Sequence, residues 1–420
     1  MQICVFEDSG FENFEPLTLS RPVYELFCGI NTLKEKIISV FPDSEFELLC
    51  RDYLTETVKS ANPKIPVNNL KGSDCLLING RVIEPGKLAK QILKKNNESK
   101  IFLNGENVVA VFLTGKHFDQ LKNNSQLVFD ENFFEGISKE NTDAKLINYI
   151  WEFIGQNGEM VNGDIKRLFN SGDKKISEPK ADKFPGVHFI DKKNIFIGDN
   201  VTIKPGVVID ATEGLVFIDD DTEIFPNVVI EGPCYIGKSS KIKSCATIYK
   251  NVSIGNVCKV GGEVEDSIIM SYSNKQHSGF LGHSYLGSWI NIGADTNNSD
   301  LKNNYSTVKI TLRDKLIDTS LQFLGLIMGD HSKTGINTMF NTGTVVGFSS
   351  NVFGSGFPPK FIPSFSWGGA DSLTAYNLEK AIETAKVVLK RRNKNFSSDD
   401  ERLFDHIFNL TGIERERRGL

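Results

Sequence analysis

Aliphatic residues recur at every sixth position through the middle of the chain. A six-residue step suits neither an amphipathic helix, whose apolar stripe has a period near 3.6, nor ordinary strands separated by irregular turns. It fits a short strand followed by a tight corner, so that three steps close one triangular coil. The spacing therefore predicts a parallel β-helix with a ladder of aliphatic residues inside. The longest unbroken run is Ile218, Ile224, Ile230, Ile236, Ile242, Ile248, Ile254 and Val260.

The ladder extends in both directions from this run. Its upstream members are Ile197, Ile203 and Ile209. The step from Ile209 to Ile218 is longer, which predicts a short insertion that loops out between Ala211 and Gly214. The ladder resumes downstream with Leu286, Ile292, Met328, Thr334, Phe340, Val346 and Val352. Residues 291–310 interrupt it with polar side chains, and such an interruption in a repeat protein is typical of a loop on the binding face.

Two helices are expected after the last repeat. Residues 372–394 carry an apolar stripe at helical spacing. The stripe consists of Leu378, Ile382, Ala385 and Leu389. A second helix is expected after Asp399 and Asp400, which are plausible amino-terminal caps. We expect these helices to pack against the β-helix or to cover its open end.

The first 165 residues have the pattern of a separate α/β unit. Strand-length apolar runs occur together with a helical pattern around residues 31–41, which favours a mostly parallel sheet. The runs are QICVF, FELLC, CLLIN, IFL and VVAVFL. The predicted organisation is an α/β domain over residues 1–170, a linker over 171–182, a β-helix over 183–365 and a helical segment over 366–420. We expect the α/β domain and the β-helix to have separate cores.

Composition narrows the functional classes. The chain of 420 residues has a net charge of -5, which argues against a nucleic-acid or membrane-surface binder because both need a basic face. No stretch reaches the roughly 18 apolar residues that a membrane helix needs. The start, MQICVFEDSG, is not expected to act as a secretory signal. The seven cysteines are scattered and form no CxxC pair, so we expect free, mostly buried thiols in a reducing cytoplasm.

Residues 261–296, GGEVEDSIIMSYSNKQHSGFLGHSYLGSWINIGADT, carry a specific motif. The segment resembles the acetyltransferase part of bifunctional N-acetylglucosamine-1-phosphate uridylyltransferase/glucosamine-1-phosphate acetyltransferases and their archaeal relatives. The positions that match in order are Glu263, Ser267, Met270, His277, Phe280, Gly282, Asn291, Gly293, Ala294 and Thr296. The resemblance implies that the β-helix is left-handed. It also implies a homotrimer in which neighbouring chains complete each site.

The same resemblance implies an acetyl-transfer site around His277. Transfer of an acetyl group from a thioester to an amine needs a base, and histidine titrates near neutral pH. The matching histidine is the base in the family, whereas the alternative is a corner histidine that makes an ordinary hydrogen bond. The implied substrate contacts are Asn291, Phe280, Asp300 and Lys302. The implied acetyl-CoA contacts are Ala294, Gly329 and Gly347. For Lys302, a solvated loop lysine is an equally open interpretation.

The first domain resembles an atypical nucleotidyltransferase, mainly through the run PLTLSRPV. Typical members carry a glycine-rich loop there, and only Gly10 of that loop remains in this chain. The implied nucleotide contacts are Thr18, Arg21 and Arg81. Asp164 is a candidate Mg²⁺ ligand, with an ordinary surface aspartate as the alternative. Carboxylates near the loop would repel a triphosphate unless metal ions intervene. They are Glu7, Asp8, Glu12 and Glu15.

Two main hypotheses remain for the whole chain. In the first, the protein is a bifunctional enzyme of sugar-nucleotide biosynthesis, which N-acetylates an aminosugar-1-phosphate with acetyl-CoA at the β-helix and transfers a nucleotidyl group in the α/β domain with Mg²⁺. In the second, the α/β domain has lost its chemistry and serves as a sugar-nucleotide-binding or assembly module beside the acyltransferase. A third and weaker hypothesis makes the chain a structural or regulatory binder of sugar nucleotides.

Overall fold

The protein folds as an α/β domain, a left-handed parallel β-helix of about 10 turns and a group of carboxyl-terminal helices, which confirms the predicted fold class. The structure is a computed structural model and describes residues 2–92, 98–124, 127–171, 179 and 181–420. Most of the predicted linker therefore lies outside the described residues. Within those ranges, no helix has the length and apolar character needed to cross a lipid bilayer.

The strands of the first domain are β1 (Gln2–Phe6), β2 (Phe27–Cys28), β3 (Asn31–Thr32), β4 (Glu45–Leu48), β5 (Asp74–Asn79), β6 (Lys100–Asn104), β7 (Asn107–Thr114) and β8 (Ser138–Asn141). Six of them form one sheet in the order β4-β1-β5-β7-β6-β8. β1 pairs in parallel with β4 and β5, whereas β7 runs antiparallel to β5 and β6. The apolar runs of the sequence correspond to β1, β4, β5, β6 and β7, as predicted.

The α-helices of the first domain are α1 (Leu33–Ser39), α2 (Thr55–Ala61), α3 (Pro85–Ile92), α4 (Lys116–Lys122) and α5 (Ile150–Ser171). α1 falls within the predicted helical region and begins with a capping box. The side chain of Thr32 accepts a hydrogen bond from the Glu35 N–H, and the Glu35 carboxylate accepts one from the Thr32 N–H at 2.7 Å. These reciprocal bonds satisfy backbone donors that a helix start leaves free.

Short parallel strands stack into three faces of the β-helix, named A, B and C. Face A consists of Ile195–Ile197, Val216–Ile218, Cys234–Ile236, Val252–Ile254, Ile268–Ile269, Tyr285–Leu286, Leu326–Met328, Thr344–Val346 and Phe361–Ile362. Face B consists of Thr202–Ile203, Glu223–Ile224, Lys241–Ile242, Lys259–Val260, Asn274–Lys275, Lys333–Thr334, Asn351–Val352 and Ser366–Gly368, edged by Leu373–Ala375. Face C consists of His188–Ile190, Val208–Asp210, Val229–Glu231, Thr247–Ile248, Glu263–Glu265, Phe280–Gly282, Asn297–Asn298 and Met339–Phe340.

The aliphatic ladder lines the interior of the β-helix, as predicted. Ile218, Val260 and every rung between them in the run are 0% exposed. Ala211 is also buried, while Thr212 and Glu213 are exposed at the corner between faces C and A. The longer step in the ladder is therefore absorbed by an insertion at this corner, where the sequence placed it.

The polar interruption of the ladder is an excursion from the corner between faces C and A. The chain leaves face C after Asn297–Asn298 and forms an antiparallel hairpin from Lys309–Leu312 and Lys315–Asp318. It then re-enters face A at Leu326–Met328. The expected loop thus contains a hairpin, whose buried residues belong to the core shared with the first domain.

The carboxyl-terminal helices are α6 (Leu378–Lys390), α7 (Ser398–Leu410) and α8 (Gly412–Glu416). α6 lies inside the predicted helical range. The predicted caps of α7 are wrong, because Ser397 is the residue that caps it. Its Oγ accepts a hydrogen bond from the Asp400 N–H at 3.2 Å, and the Asp400 carboxylate accepts one from the Ser397 N–H at 2.7 Å. Asp399 and Asp400 instead lie in the first turn, where negative charge favours the helix dipole.

One hydrophobic core joins the first domain, the outer side of face A, the hairpin and the carboxyl-terminal helices. Ile327 and Val345 contribute to it from face A. From α7, the ring of Phe404 packs edge-on against Phe348, with 4.9 Å between the ring centroids. The helices therefore pack against the side of the β-helix, which is one of the two expected arrangements. Each domain also has a core of its own, so the expectation of separate cores is confirmed for those two and wrong for the shared one.

The cysteines follow the prediction. All are free thiols, and Cys245 is the exposed one. Burial raises the pKa of the Cys28 thiol to about 12, so this group stays protonated at neutral pH. A buried, protonated thiol packs as a small apolar group and is chemically inert.

Candidate functional site

His277 lies in the tight turn between Asn274–Lys275 on face B and Phe280–Gly282 on face C. We call this edge of the β-helix the B–C corner. The imidazole ring is exposed and makes no hydrogen bond to any residue that the structure describes. A histidine ring with free nitrogens and access to solvent can take a proton from a bound amine.

A buried lysine holds the His277 turn in place. Lys275 occupies an interior rung of face B and is 2% exposed. Its Nζ donates hydrogen bonds to the backbone carbonyl oxygens of Gly261 at 2.8 Å, Gly279 at 2.6 Å and His277 at 3.2 Å. Burial lowers the pKa of Lys275 to about 8. The lysine thus ties the backbone of two successive coils together beneath the candidate base.

The next coil carries two further residues of the predicted site. Asn291 is exposed on face B, where it forms parallel β-bridges with Asn274 and Lys333. Ala294 lies at the B–C corner, one coil beyond His277. On the coil after His277, Asn291 therefore lies on face B just before the corner, and Ala294 lies at the corner itself.

Asp300 is engaged by a second histidine. The Nδ1 of His283 lies 2.8 Å from Asp300 Oδ2, and the ring of Phe323 stacks on the imidazole at 5.0 Å. Burial lowers the pKa of His283, but the hydrogen bond to Asp300 and the negative charge of Asp266 outweigh it, so the pKa lies above its usual range. In this structure Asp300 is the partner of His283, and its predicted substrate contact stays a prediction.

Lys302 folds back onto its own loop. Its Nζ donates a hydrogen bond to the Thr307 carbonyl oxygen and lies 3.4 Å from Ser306 Oγ. Lys302 lies at the start of the hairpin excursion, at the corner between faces C and A. Because two of its three donors contact the loop, the structure favours the loop-lysine interpretation over a phosphate contact.

Gly329 and Gly347 lie at the corner between faces A and B, beside the first domain. A Cβ added to Gly329 would meet the Cβ of Pro16 at 3.0 Å. A Cβ added to Gly347 would collide with the backbone of Ser364. Both glycines are buried, and neither borders the B–C corner. Their assignment to the acetyl-CoA groove is therefore corrected: they allow close packing of coils and domains.

One chain brings only part of the predicted acetyl-transfer site together. His277 and Ala294 share the B–C corner, and Phe280 borders it as the half-buried first residue of a face C strand. Asn291 lies on face B, and Lys302 lies on the far side of face C. A second surface is needed to enclose a substrate at this edge.

The first domain has an acidic cavity at the carboxyl ends of β1 and β5. Its volume is about 470 Å³. Its charged lining residues are Asp8, Arg81, Glu106, Asp130 and Glu131. Arg81 is buried, forms an ion pair with Asp8 and donates a hydrogen bond to Asn148 Oδ1 at 2.7 Å. The only cation among these lining residues is thus already paired with a carboxylate.

Thr18 and Arg21 do not line this cavity. Thr18 is fully buried, and its Oγ1 donates a hydrogen bond to the Phe11 carbonyl oxygen at 3.0 Å. The guanidinium of Arg21 forms an ion pair with Asp330 of the β-helix and lies 3.4 Å from Ser288 Oγ. The structure therefore corrects both nucleotide-contact assignments, because Thr18 holds a local turn and Arg21 joins the two domains.

The assignment of Asp164 as a metal ligand is wrong. Its side chain is buried on α5, where the carboxylate pairs with Lys36 and Arg167 and accepts a hydrogen bond from the Ile30 N–H at 3.1 Å. No carboxylate oxygen is left for an ion. Among the residues that the structure describes, no group of three His, Cys, Asp or Glu side chains could hold a metal. Mg²⁺ that is held by one or two carboxylates together with substrate phosphates needs no such group.

Comparison with known proteins relates both halves of the chain to one group. Residues 3–172 match the family model described as sugar nucleotidyl transferase. A bifunctional protein GlmU from Methanococcus vannielii is 24% identical over 418 residues, which is 89% of this chain and 90% of that relative. The chain is a homologue of the GlmU-type bifunctional proteins.

Other GlmU relatives match over shorter stretches. The protein from Methanocaldococcus jannaschii is 28% identical over 63% of this chain and 58% of its own length. The bifunctional sugar-1-phosphate nucleotidylyltransferase/acetyltransferase of Sulfurisphaera tokodaii is 32% identical over 37% of each chain. The chain thus spans about half the length, 58% and 43%, of the GlmU relatives from M. jannaschii and Methanococcus aeolicus. A solved Arabidopsis UDP-N-acetylglucosamine acyltransferase aligns over 55% of this chain at 14% identity, with a TM-score of 0.27.

Sequence reasoning missed the role of Lys275 in this GlmU homologue. The residue stands between Val260 and Ile292 on the interior ladder of face B. A charged side chain at a rung position was the available signal, because a buried ammonium group requires hydrogen-bond acceptors around it. The acceptors are carbonyl oxygens of two successive coils, and the sequence alone does not show that these oxygens point towards the lysine.

Proposed function

We propose that the chain is a bifunctional transferase of sugar-nucleotide biosynthesis, located in the cytoplasm. The β-helix transfers an acetyl group from acetyl-CoA to the amine of an aminosugar-1-phosphate of the glucosamine-1-phosphate type, and the first domain transfers a nucleotidyl group. The observation that carries the proposal is the His277 turn, which combines the motif match with an exposed ring and a backbone held by Lys275. The match to a GlmU protein over most of the chain supports both activities.

In the proposed acetyl transfer, His277 is the general base. Its neutral imidazole takes a proton from the amine as the amine nitrogen attacks the thioester carbonyl carbon. A C–N bond forms, the C–S bond breaks, and the leaving CoA thiolate takes up the proton from the imidazolium. Such a positioned base contributes roughly 10²–10⁴ in rate. The side-chain amide of Asn291 orients the amine, Phe280 borders the sugar, and the turn at Ala294 borders the acyl donor.

We propose that three chains complete the sites between them. A cluster of apolar residues is exposed at and beside the B–C corner: Ile336 at 69%, Met339 at 39% and Phe353 at 39%. Exposed apolar clusters of this kind are typical of interfaces, and a neighbouring chain would both cover them and supply the missing surface beside His277. Light scattering should report a mass of three 46.8 kDa chains. A stable monomer at micromolar concentration would contradict the homotrimer.

For the first domain, we propose nucleotidyl transfer at the acidic cavity. The match of residues 3–172 to the sugar nucleotidyl transferase family supports this activity. The carboxylates of the cavity repel a bare triphosphate, so the nucleoside triphosphate enters as its Mg²⁺ complex, with the metal as part of the substrate. Arg81, oriented by Asp8 and Asn148, is the cation closest to the bound phosphates.

Two assays on the purified full-length chain test the proposal. The first measures thiol release from acetyl-CoA with glucosamine-1-phosphate, and the second measures pyrophosphate release from each nucleoside triphosphate with Mg²⁺ and a sugar-1-phosphate. We expect turnover in both. If thiol is released but no nucleotide is turned over with any substrate pair, the first domain is a binding or assembly module. If no thiol is released, the acetyltransferase assignment is wrong.

A further inference from the structure

A cavity of about 430 Å³ lies between face B of the β-helix and the carboxyl-terminal end of α6. Its floor is formed by outward-facing residues of successive coils: Lys259, Asn274, Asn291 and Lys333. Its roof includes Arg391 and Arg392, which directly follow α6. We call this cavity the face B pocket. It is separate from the acidic cavity of the first domain and meets the candidate acetyl-transfer site at Asn291.

The face B pocket collects positive charge without compensation. Four cations line it, and none of its lining residues is acidic. Within the described part of the chain, none of these four forms a salt bridge. Lys333 donates a hydrogen bond to the His331 carbonyl oxygen at 2.7 Å, and Arg392 donates one to Asn274 Oδ1 at 2.8 Å. Like charges gathered at one place repel unless an anion joins them.

Both lysines of the pocket have a pKa below the ordinary value for lysine. Burial, followed by the positive charge of Arg392, lowers the pKa of Lys259. Burial lowers the pKa of Lys333 to about 8. An anion bound between these lysines would favour their charged forms.

Flat aromatic surfaces form one wall of the same pocket. The rings of Tyr272 and Trp289 stack with 4.3 Å between their centroids and 11° between their planes. The ring of His331 continues the stack beside Trp289, at 6.1 Å and 14°. Because Trp289 lies between the other two rings, the wall offers the apolar edges of Tyr272 and Trp289 to a sugar or a base, while the cations lie against the floor and roof.

We propose that the face B pocket binds a phosphate ester of a ring compound, with the phosphate held by Lys259, Lys333 and Arg392 and the ring against the edges of Tyr272 and Trp289. A phosphate carries two negative charges and several acceptor oxygens, which suits a group of lysines and arginines better than a single carboxylate does. The ring source is either a sugar phosphate or a nucleotide. The inference goes beyond the proposed activities, because binding requires no turnover.

Calorimetric titration of the full chain at low salt tests this pocket. The probes are glucosamine-1-phosphate, uridine diphosphate, CoA, inorganic phosphate and glucosamine. We expect at least one ring phosphate to bind more tightly than either inorganic phosphate or glucosamine. Arg392→Gln and Lys333→Gln should each weaken that binding 10-fold or more, the order expected for one charge-assisted contact. Lys390→Gln removes the same charge from an exposed position on α6 and should change it less than twofold.

Trp289→Leu separates the ring contact from the phosphate contact. It should weaken binding of the ring phosphate and leave the affinity for inorganic phosphate unchanged. If Lys333→Gln lowers Tm, the binding result for Arg392→Gln decides whether the pocket holds the phosphate. The Arg392 side chain is only half-buried, so its replacement should disturb the fold less. A preference for glucosamine-1-phosphate identifies a sugar phosphate as the ligand, and a preference for uridine diphosphate or CoA identifies a nucleotide. Ring-phosphate binding that Arg392→Gln leaves intact, or that Lys390→Gln weakens equally, overturns the proposal.

Discussion

The guanidinium of Arg21, in the first domain, forms an ion pair with the carboxylate of Asp330 on the β-helix. Asp330 is 3% exposed, and the same carboxylate accepts hydrogen bonds from Ser20 Oγ and from the Ser288 N–H, both at 2.8 Å. Its two oxygens are therefore fully used by groups from both domains. This cluster fixes the first domain against one corner of the β-helix in a single orientation.

We expect Asp330→Ala to destabilise the whole chain. Removing one partner of a buried pair leaves an uncompensated charge, which costs roughly 3–5 kcal/mol in the free energy of unfolding. Lys386→Ala is the matched control, because it breaks an exposed pair with Glu401 and should cost less than about 1 kcal/mol. Urea denaturation measures both. Equal losses in the two variants would mean that the interdomain pair contributes no more than a surface contact.

His277→Ala should abolish most acetyl transfer without unfolding the protein. The base acts in the transition state, so we expect kcat to fall at least 100-fold, with little change in KM, on the scale of roughly 10²–10⁴ for a positioned base. His188→Ala removes another exposed histidine of the β-helix and should retain wild-type rates. Thiol release and thermal melting are the two measurements. A His277→Ala enzyme that works at near wild-type rate would make this histidine structural.

Lys275→Met should loosen the His277 turn. The change keeps an apolar stem of similar size but removes the ammonium donor that three backbone carbonyls share. We expect kcat for acetyl transfer to fall by about 10-fold while KM changes little, because the lysine acts through the backbone. Amide exchange at residues 276–279 should accelerate. Lys241→Met, at an outward position of face B, is the control. If Lys275→Met lowers Tm but leaves kcat unchanged, the lysine contributes only to stability.

Glu15 and Glu414 make the stability of the protein depend on pH. They lie in one small cavity where the first domain meets the carboxyl-terminal helices. Burial, followed by the charge of Glu414, raises the pKa of Glu15 to about 8. Burial, followed by the charge of Asp314, raises the pKa of Glu414 to about 7.

The sign of the effect follows from proton linkage. Because both carboxyl groups have a pKa above their ordinary value of 4.5, the folded chain binds protons more tightly than the unfolded one. Their contribution is fully present below about pH 4.5 and is lost as the pH rises through 7 to 8. Glu15→Gln should raise the free energy of unfolding relative to wild type at pH 8 and flatten its fall between these values. Glu383 is exposed on α6, so Glu383→Gln should leave the pH dependence of the free energy of unfolding unchanged. If Glu15→Gln shows the same pH dependence as wild type, the linkage is refuted.

The β-helix could be predicted from the sequence because its periodicity is local. Each rung between Ile218 and Val260 repeats the same short unit, so the pattern can be read in any window of the chain. The strands of the first domain could be read for a similar reason, from apolar runs bounded by polar residues. His277 could be placed through its motif and lies in an exposed turn.

The misassigned residues depend on contacts between distant parts of the chain. Arg21 and Asp330 are 309 residues apart in the sequence, and Lys36 and Asp164 are 128 residues apart. A single sequence does not show which charged residues meet in the core. Each of these side chains also carries a charge of the kind that binds phosphate or a metal ion. The face B pocket was missed for the same reason, since Arg392 joins it only through the packing of α6.

The packing of α7 against α2 ties the beginning of the chain to its end. Phe404 and Ile407 belong to the same hydrophobic core as Leu54 and Val58. During synthesis, the first domain therefore emerges from the ribosome long before the helix that covers it has been made. The apolar surface of α2 that α7 covers stays open to water until α7 has been made, so this contact can form only after the β-helix has been synthesised.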